Sequence, residues 1–263
     1  CDVPNPAFPI NSWQRDAKYV EQFLLEGLKL VNRTKEAIYA EYGAGYPLTE
    51  EIRQRREVMF RTGILNCTAA ETSQDINKMA PAGGRGGWMC ESSLDGLVRR
   101  ILHAIITQDD FTIALGGHSV AAGHDNHFAQ SYLHQSHRVL EPVFARLGIQ
   151  LTSRNLAHGG LGTLQSSLGS GDIYGRENDI LMWDSSMTES RGSDAYIELF
   201  HRQAVLSGNR VPFFLDEQGY YDFMGFAIKY DADVASFSRA GDQGFLVSTS
   251  EQQVKSLPWA SQY

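Results

Sequence analysis

A serine flanked by glycines follows a short apolar run in residues 115–123, which read Leu-Gly-Gly-His-Ser-Val-Ala-Ala-Gly. Glycine permits a tight turn between a strand and a helix, and it lets a ligand come close to the backbone. The hydroxyl of Ser119 would then be exposed at the carboxyl end of the strand, where its own N–H and the start of a helix could stabilise an oxyanion. A plain turn of glycine and serine would have the same composition, so this segment alone leaves both interpretations open.

Two further segments of small and polar residues also follow apolar runs. Residues 155–163 read Asn-Leu-Ala-His-Gly-Gly-Leu-Gly-Thr, and residues 183–189 read Trp-Asp-Ser-Ser-Met-Thr-Glu. A glycine N–H is a good oxyanion donor because no side chain blocks its approach to a ligand. Loops that follow the strands of a parallel sheet lie at one edge of that sheet. We therefore predict that the three segments meet at this edge and form one site.

The three segments together resemble the sequence blocks of the SGNH (GDSL-type) hydrolases. Residues 117–123 are similar to the first block, Gly-Asp-Ser-x-x-x-Gly, which would make Ser119 the nucleophile. Residues 155–163 resemble the second block, which would make Gly160 an oxyanion-hole donor beside the Ser119 N–H. Residues 179–189 are similar to the stretch that ends in the third block, Gly-x-Asn-Asp, with Thr188 in place of the asparagine and its hydroxyl as a third donor.

This resemblance covers residues 111–216 and implies both a fold and an activity. The fold would be α/β, with a three-layer parallel sheet of the flavodoxin-like SGNH hydrolase type. The activity would be that of a serine esterase or an acyl-transfer enzyme. Its substrate would be a small ester or an acylated glycan such as an O-acetyl glycan, and no cofactor is implied.

The sequence departs from the pattern of these hydrolases at three points. His118 stands in place of the aspartate before the nucleophile, Thr188 replaces the asparagine, and the closing Asp-x-x-His motif is not present. A serine needs a base within hydrogen-bond reach, and His118 is a poor candidate because adjacent side chains on a tight turn diverge. Three alternatives stay open: a catalytic histidine beyond residue 263, an in-chain base among His124, His158 and His201, or a non-catalytic binding or structural protein on a degenerate SGNH fold.

Five of the eight histidines lie within residues 118–137, which raises a metal site as a weaker alternative. His127, His134 and His137 would share one helix face, but positions i and i+7 are about 10 Å apart along the axis, too far to share one ion. Histidines at the boundary of an amphipathic helix, bonded to water or backbone, are the more ordinary interpretation. We therefore predict no metal.

The cysteines and glycosylation sequons favour an oxidising compartment. Cys67 and Cys90 flank a loop rich in glycine and could form a disulfide, which would leave Cys1 for a covalent or non-covalent partner outside the chain. Two Asn-x-Ser/Thr sequons occur, at Asn32 and Asn66. Together these features predict a secreted or secretory-lumen glycoprotein, with three free buried thiols in a cytosolic protein as the alternative.

The composition excludes several classes of function. The chain has 23 Lys and Arg against 31 Asp and Glu, a net charge of −8, which argues against binding to nucleic acid. No apolar run reaches about 18 residues, so no transmembrane segment is predicted. The chain begins at Cys1 without a charged and then apolar leader, and we interpret it as one already trimmed.

Hydrophobic periodicity divides the chain into two regions. Residues 1–110 are predicted to be mainly helical, with a disulfide-type loop, and residues 111–263 to form the SGNH-like α/β domain, which would be incomplete at its carboxyl end if the catalytic histidine lies further on. Helices are predicted over 13–42, 50–62, 92–105, 127–147 and 194–206, and strands over 111–115, 149–152, 179–183 and 211–215. This alternation is typical of a parallel sheet that is covered on both faces.

Overall fold

The computed structural model describes residues 63–67, 88–124, 127–185, 188–189, 194–217 and 229–237, together with Leu25, Lys29, Asn32 and Gly225. The predicted helix over 50–62 and Cys1 lie outside these residues. The predicted helix over 13–42 is described at three positions, Leu25, Lys29 and Asn32, each of which is helical and exposed.

Within the described residues, seven strands form one sheet. They are β1 (Gly63–Leu65), β2 (Trp88–Cys90), β3 (Phe111–Gly117), β4 (Leu151–Asn155), β5 (Ile180–Asp184), β6 (Phe213–Glu217) and β7 (Val234–Phe237). Their order across the sheet is β1-β2-β7-β6-β5-β3-β4. Neighbouring strands are parallel except for β2 and β7, which are antiparallel.

The order of the five strands from β3 onward decides where a ligand would bind. Numbered along the chain from β3, these strands have the order 2-1-3-4-5, which is the order of flavodoxin-like folds. After β3 the chain crosses to β4, which is the neighbour of β3 on one side. It then crosses back to β5, which is the neighbour of β3 on the other side. The loops after β3 and β5 therefore diverge and leave a crevice at the carboxyl edge of the sheet. The predicted α/β fold class is confirmed.

Three of the described helices lie where the apolar periodicity predicts them, and three short ones, of four to six residues, were not predicted. They are α1 (Glu91–Thr107), α2 (Ser119–Ala122), α3 (Tyr132–Arg146), α4 (Thr163–Leu168), α5 (Ser170–Ile173) and α6 (Asp194–Ser207). The α3 helix begins later than predicted because a 3-10 turn, Phe128–Gln130, precedes it. Within the described ranges, no helix has both the length and the apolar composition needed to cross a bilayer.

Two apolar cores, one on each face of the sheet, hold these layers together. Alternate residues of β3 point to opposite faces: Ala114 belongs to one core and Leu115 to the other. The first core packs Trp183 of β5 against Phe200 of α6, and the second packs β3 against Phe144 of α3. Burial on both faces explains why the β3 sequence is an almost continuous apolar run.

The sheet also includes two short strands that precede residue 111. Strands β1 and β2 have three residues each, and β2 pairs with β7. Cys67, just after β1, forms a disulfide with Cys90 at the end of β2, with a Cα–Cα distance of 5.5 Å. The predicted disulfide is thus present. The sequence predicted no strand here, and the division into domains at residue 110 stays a prediction.

Candidate active site

The turn after β3 is packed so closely that it requires glycine at two positions. A Cβ added to Gly116 would overlap the phenol of Tyr174, and one added to Gly117 would overlap the backbone carbonyl of Asp184 and lie 2.7 Å from the Cβ of Ala121. Because these two positions have no side chain, the chain can turn from β3 into α2 in close contact with the end of β5. Ser119, the first residue of α2, is partly exposed at this edge of the sheet.

The loop after β4 lies directly beside this serine. The N–H of Leu156 donates to the carbonyl of Leu115 at 2.9 Å, and the N–H of His158 donates to the carbonyl of Gly117 at 3.0 Å. These bonds continue the β3–β4 pairing past the end of the strands. As a result, a Cβ added to Gly159 would lie 3.5 Å from the Cβ of Ser119, which is ordinary van der Waals contact.

Gly160 follows Gly159, and a side chain on it would not meet the serine. Its φ is +77°, and a Cβ added to it would find no described atom within 4 Å. A side chain at residue 159 would therefore contact Ser119 and one at residue 160 would not, and the role of Gly160 as an oxyanion donor stays a prediction. The two glycines are adjacent and chemically identical, so composition gives no signal that separates them.

The loop after β5 is joined to the start of α4. The carboxylate of Glu189 accepts the N–H of Thr163 at 2.5 Å, and the indole N–H of Trp183 donates to the hydroxyl of Thr163 at 3.0 Å. Thr188 is exposed, and its hydroxyl donates to the carbonyl of Ser185 at 3.0 Å. The Thr188 hydroxyl would have to rotate away from this local turn before it could donate to an oxyanion, so that role stays a prediction.

A chain of buried polar groups lies beneath the serine. The Nδ1 of His118 accepts the N–H of Val120 at 3.1 Å, and its Nε2 lies 3.4 Å from one carboxylate oxygen of Asp184. The other Asp184 oxygen accepts the hydroxyl of Tyr132 at 2.8 Å. The side chains of His118 and Asp184 are each 1% exposed. Because both ring nitrogens of His118 are engaged, this histidine does not offer a nitrogen to Ser119.

Asn155, the last residue of β4, has a buried side chain near Ser119 to which the sequence analysis assigned no role. Its side-chain amide donates to the carbonyl of Ala121 at 2.8 Å and to the hydroxyl of Ser131 at 2.9 Å, and its oxygen accepts the N–H of Ala157 at 3.1 Å. It thereby connects β4 to α2 and to the start of α3. The available signal was an asparagine at the first position of the glycine-rich segment 155–163.

His201 is a residue of α6, and its side chain is buried in the core against β6. Its Nδ1 lies 2.8 Å from the carbonyl of Ile197, and its Nε2 lies 3.0 Å from a carboxylate oxygen of Asp216. The ring also contacts the aromatic ring of Phe214, with 4.3 Å between centroids. Burial raises the pKa of the Asp216 carboxyl, against the opposing effect of His201. In this position, His201 has no ring nitrogen available for a substrate.

The other two candidate bases are at the rim of the site. His124 and His158 are both exposed. The N–H of His124 donates to the carbonyl of Ser119 at 2.8 Å, and the N–H of His158 donates to the carbonyl of Gly117, two residues before the serine. Of the three in-chain candidates, these two therefore have a backbone next to the nucleophile.

Two further histidines of the cluster contact structural partners. The Nδ1 of His137 lies 3.0 Å from the hydroxyl of Ser153, and the ring of His134 packs edge-on against Phe128 at 4.8 Å. Burial, helped by His137 and Arg138, lowers the pKa of His134. In the part of the chain that the structure describes, no three His, Cys, Asp or Glu side chains are grouped to hold a metal ion.

Comparison with known proteins gives likenesses among solved structures alone, since no family model and no curated protein sequence matches. The chain is similar to a two-domain esterase (CEX) active on acetylated mannans, with 13% identity and a TM-score of 0.47, over 62% of this chain and 47% of that one. It is also similar to AlinE4, an SGNH-hydrolase family esterase, with 16% identity and a TM-score of 0.37, over 54% of this chain and 80% of AlinE4. The chain thus spans about half the length of the two-domain esterase.

Proposed function

We propose that this protein is a serine esterase or acyl-transfer enzyme in which Ser119 is the nucleophile. The observation that carries the proposal is the position of this partly exposed serine. It lies at the amino end of α2, beside the crevice between β3 and β5, and Gly159 faces it with no side chain in between. Ligands of flavodoxin-like sheets bind at this crevice.

The reaction would proceed through an acyl-enzyme. The hydroxyl oxygen of Ser119 attacks the ester carbonyl while a base accepts the hydroxyl proton. The ester C–O bond then breaks, and the leaving alcohol takes that proton. In hydrolysis a water molecule repeats the attack, which releases the carboxylic acid and restores the serine hydroxyl; in acyl transfer an acceptor alcohol takes the place of water.

The negative oxygen of the tetrahedral intermediate needs fixed donors. The N–H of Ser119 is in the first turn of α2, where helical N–H groups have no acceptor within the helix. Gly160 and the hydroxyl of Thr188 are the second and third proposed donors. Gly159 leaves space next to the serine, where an acyl group would fit.

His158 is our first in-chain candidate for the base, and His124 is the second. Both are exposed, and a backbone bond holds each near the nucleophile. A histidine beyond residue 263 is the competing assignment. If either in-chain residue is the base, its replacement by alanine lowers kcat by a factor of about 100 or more, which is the usual range for general-base catalysis.

The experiment that tests the proposal compares Ser119→Ala with Ser136→Ala. Ser136 is an exposed serine of α3 and serves as a matched control. We expect the unmodified protein and Ser136→Ala to hydrolyse p-nitrophenyl acetate and to be labelled by a fluorophosphonate, and we expect Ser119→Ala to do neither. Equal rates in Ser119→Ala and the unmodified protein would remove Ser119 from the mechanism.

A non-catalytic binding protein on this fold is the second candidate. The observation that favours it is that His201, the last histidine of the sequence, is buried against Asp216. A binding protein would leave Ser119 unlabelled in the unmodified chain, although it would still bind an acylated glycan. Titration with an O-acetylated oligosaccharide, followed by calorimetry, separates this function from turnover.

We also propose a secreted or secretory-lumen location and an O-acetyl glycan substrate. The Cys67–Cys90 disulfide and the exposed sequon asparagine Asn66 next to it support the location. Protein made in a secretory host should lose mass on treatment with an endoglycosidase, and the shift should shrink in Asn66→Gln. Release of acetate from an O-acetylated glycan would test the substrate.

A further inference from the structure

We propose that His118 is a positioning residue for Ser119. Its imidazole connects the first turn of α2, through the N–H of Val120, to the end of β5, through the carboxylate of Asp184. We call these two contacts the tie. The inference rests on the proposed role of Ser119 as the nucleophile, and it assigns a function to the histidine that stands where the resembled block has aspartate. The three groups that carry it are the ring of His118, the N–H of Val120 and the carboxylate of Asp184.

The first end of the tie is a helix cap. The backbone N–H of Val120 can only donate, so the Nδ1 of His118, 3.1 Å away, must be the acceptor and must carry no proton. A neutral ring then carries its proton on Nε2. Since α2 has four residues, this cap supplies an acceptor to a helix that forms few hydrogen bonds of its own.

The second end of the tie is the carboxylate of Asp184. The Nε2 of His118 lies 3.4 Å from this carboxylate, which is long for a hydrogen bond but close enough to favour the proton on Nε2. The hydroxyl of Tyr132 holds the other carboxylate oxygen at 2.8 Å. Asp184 thereby selects the tautomer that leaves Nδ1 free of a proton for the cap.

Backbone contacts also hold the turn between β3 and α2 against β5. The N–H of His118 donates to the carbonyl of Asp184 at 2.8 Å, and Gly117 has no room for a side chain against that carbonyl. Ser119 is therefore held between two residues that are both bonded, one to β5 and one to the imidazole. A displacement of about 1 Å in a catalytic group can cost about 100-fold in rate, so the tie bears directly on kcat.

Two substitutions separate the two ends of the tie. His118→Asn keeps an acceptor at about the distance of Nδ1, so it retains the cap and loses the reach to Asp184. His118→Gln keeps a donor that reaches toward Asp184, and it loses the acceptor for Val120. We expect His118→Asn to retain most of the kcat for p-nitrophenyl acetate. We expect His118→Gln to lose about 100-fold in kcat. KM should change little in both variants, because His118 does not line the exposed site.

Two spectroscopic measurements test the tie without reference to activity. Nitrogen-15 NMR of the unmodified protein should give the Nε2–H tautomer for His118. Amide hydrogen exchange at Val120 should be slow in the unmodified protein and in His118→Asn, and fast in His118→Gln. The Nδ1–H tautomer in the unmodified protein would overturn the inference even if a variant failed to fold, and so would equal exchange in the two variants.

The inference and the proposed function fail in different ways. An unmodified protein that neither hydrolyses esters nor reacts with a fluorophosphonate overturns the esterase proposal and the catalytic purpose of the tie, whereas the tautomer and the Val120 exchange still decide whether the tie exists. Equal kcat in His118→Asn and His118→Gln, in a protein that does hydrolyse esters, overturns the positioning role and leaves Ser119 as the nucleophile.

Discussion

Two adjacent glycines next to the candidate nucleophile differ in what a side chain would meet. A methyl group on Gly159 would lie 3.5 Å from the Cβ of Ser119, and Gly159 does not have a positive φ. A methyl group on Gly160 would enter open space but would require an alanine at φ +77°. A side chain at residue 159 is therefore expected to reduce the space beside Ser119. A side chain at residue 160 is expected to strain the backbone and so to lower the free energy of unfolding.

Alanine substitutions at these two positions test this distinction. We expect Gly159→Ala to lower kcat/KM, more for esters with a long acyl chain than for acetates, and to leave thermal stability almost unchanged. Gly160→Ala should lower the free energy of unfolding by about 1–2 kcal/mol because alanine is strained in the left-handed region. Ester kinetics and thermal unfolding of both variants supply the measurement. A Gly159→Ala variant that is as active as the unmodified protein with long acyl chains would contradict the assigned contact.

Tyr174, packed under Gly116 of β3, gives a prediction about alkaline pH. Burial raises the pKa of its hydroxyl to about 12, against a smaller opposing effect of a hydrogen bond with Ser166. The unfolded chain loses this proton near pH 10. The stability that depends on this group is therefore complete below about pH 10 and falls by about 2–3 kcal/mol as the pH rises to 12. Tyr174→Phe should lose less stability over this interval in urea denaturation, and equal losses would contradict it.

At the scale of elements, the length of each apolar run decided what the sequence could predict. Strands β3, β5 and β6 were predicted because each has an apolar run that falls between helical patterns. Strand β4 is mostly polar, and the prediction over 149–152 overlaps only its first two residues. Strands β1 and β2 have three residues and β7 has four, which is too short for an alternation pattern. Their strand character comes from pairing with partners that are distant in the chain, which a local pattern does not contain.

In the candidate site, too, features with a local sequence signal could be predicted, and contacts between distant parts of the chain could not. Ser119 and its glycine-rich turn were predicted because the signal lies within nine consecutive residues. The contact between His118 and Asp184 could not be predicted, because the register that places Gly117 opposite Asp184 exists only in the folded sheet. The burial of His201 was missed for the same reason, since Phe214 and Asp216 come from the next strand.

The junction between β3, β5 and α2 gives a prediction at this scale. Gly117→Ala places a methyl group against the Asp184 carbonyl and the Ala121 side chain, and neither is the mobile end of a long side chain. We expect a loss of about 1–3 kcal/mol in the free energy of unfolding, together with loss of fluorophosphonate labelling at Ser119, because the turn must move away from β5.

Gly148→Ala is the matched control for that variant. Gly148, unlike Gly117, has a positive φ, +79°, and no described atom lies within 4 Å of an added Cβ, so its substitution strains the backbone without a steric overlap. It follows α3 and precedes β4, away from the turn. The control should lose stability and keep its labelling rate. Retained labelling in Gly117→Ala, at a temperature where the variant is folded, would show that the turn tolerates displacement.

At the scale of the whole molecule, the disulfide and the candidate site lie at separate parts of one sheet. The disulfide joins the ends of β1 and β2, and Ser119 follows β3. Four strand spacings separate β2 from β3 in the order β2-β7-β6-β5-β3, which is about 19 Å. Stability and activity should therefore respond separately to loss of the disulfide.

A variant with both Cys67→Ala and Cys90→Ala tests this separation. The disulfide spans 23 residues, and closing a loop of this size stabilises a fold by about 3 kcal/mol in the chain-entropy model. We expect the double variant, like the unmodified protein under reductant, to unfold at lower temperature and lower urea concentration. Below that temperature it should keep the kcat of the unmodified protein, because the turn that holds Ser119 is anchored on β5, α3 and β4 rather than on β2. A folded double variant without activity would indicate that the first two strands help to shape the site, and it would place the site and the disulfide in one cooperative unit.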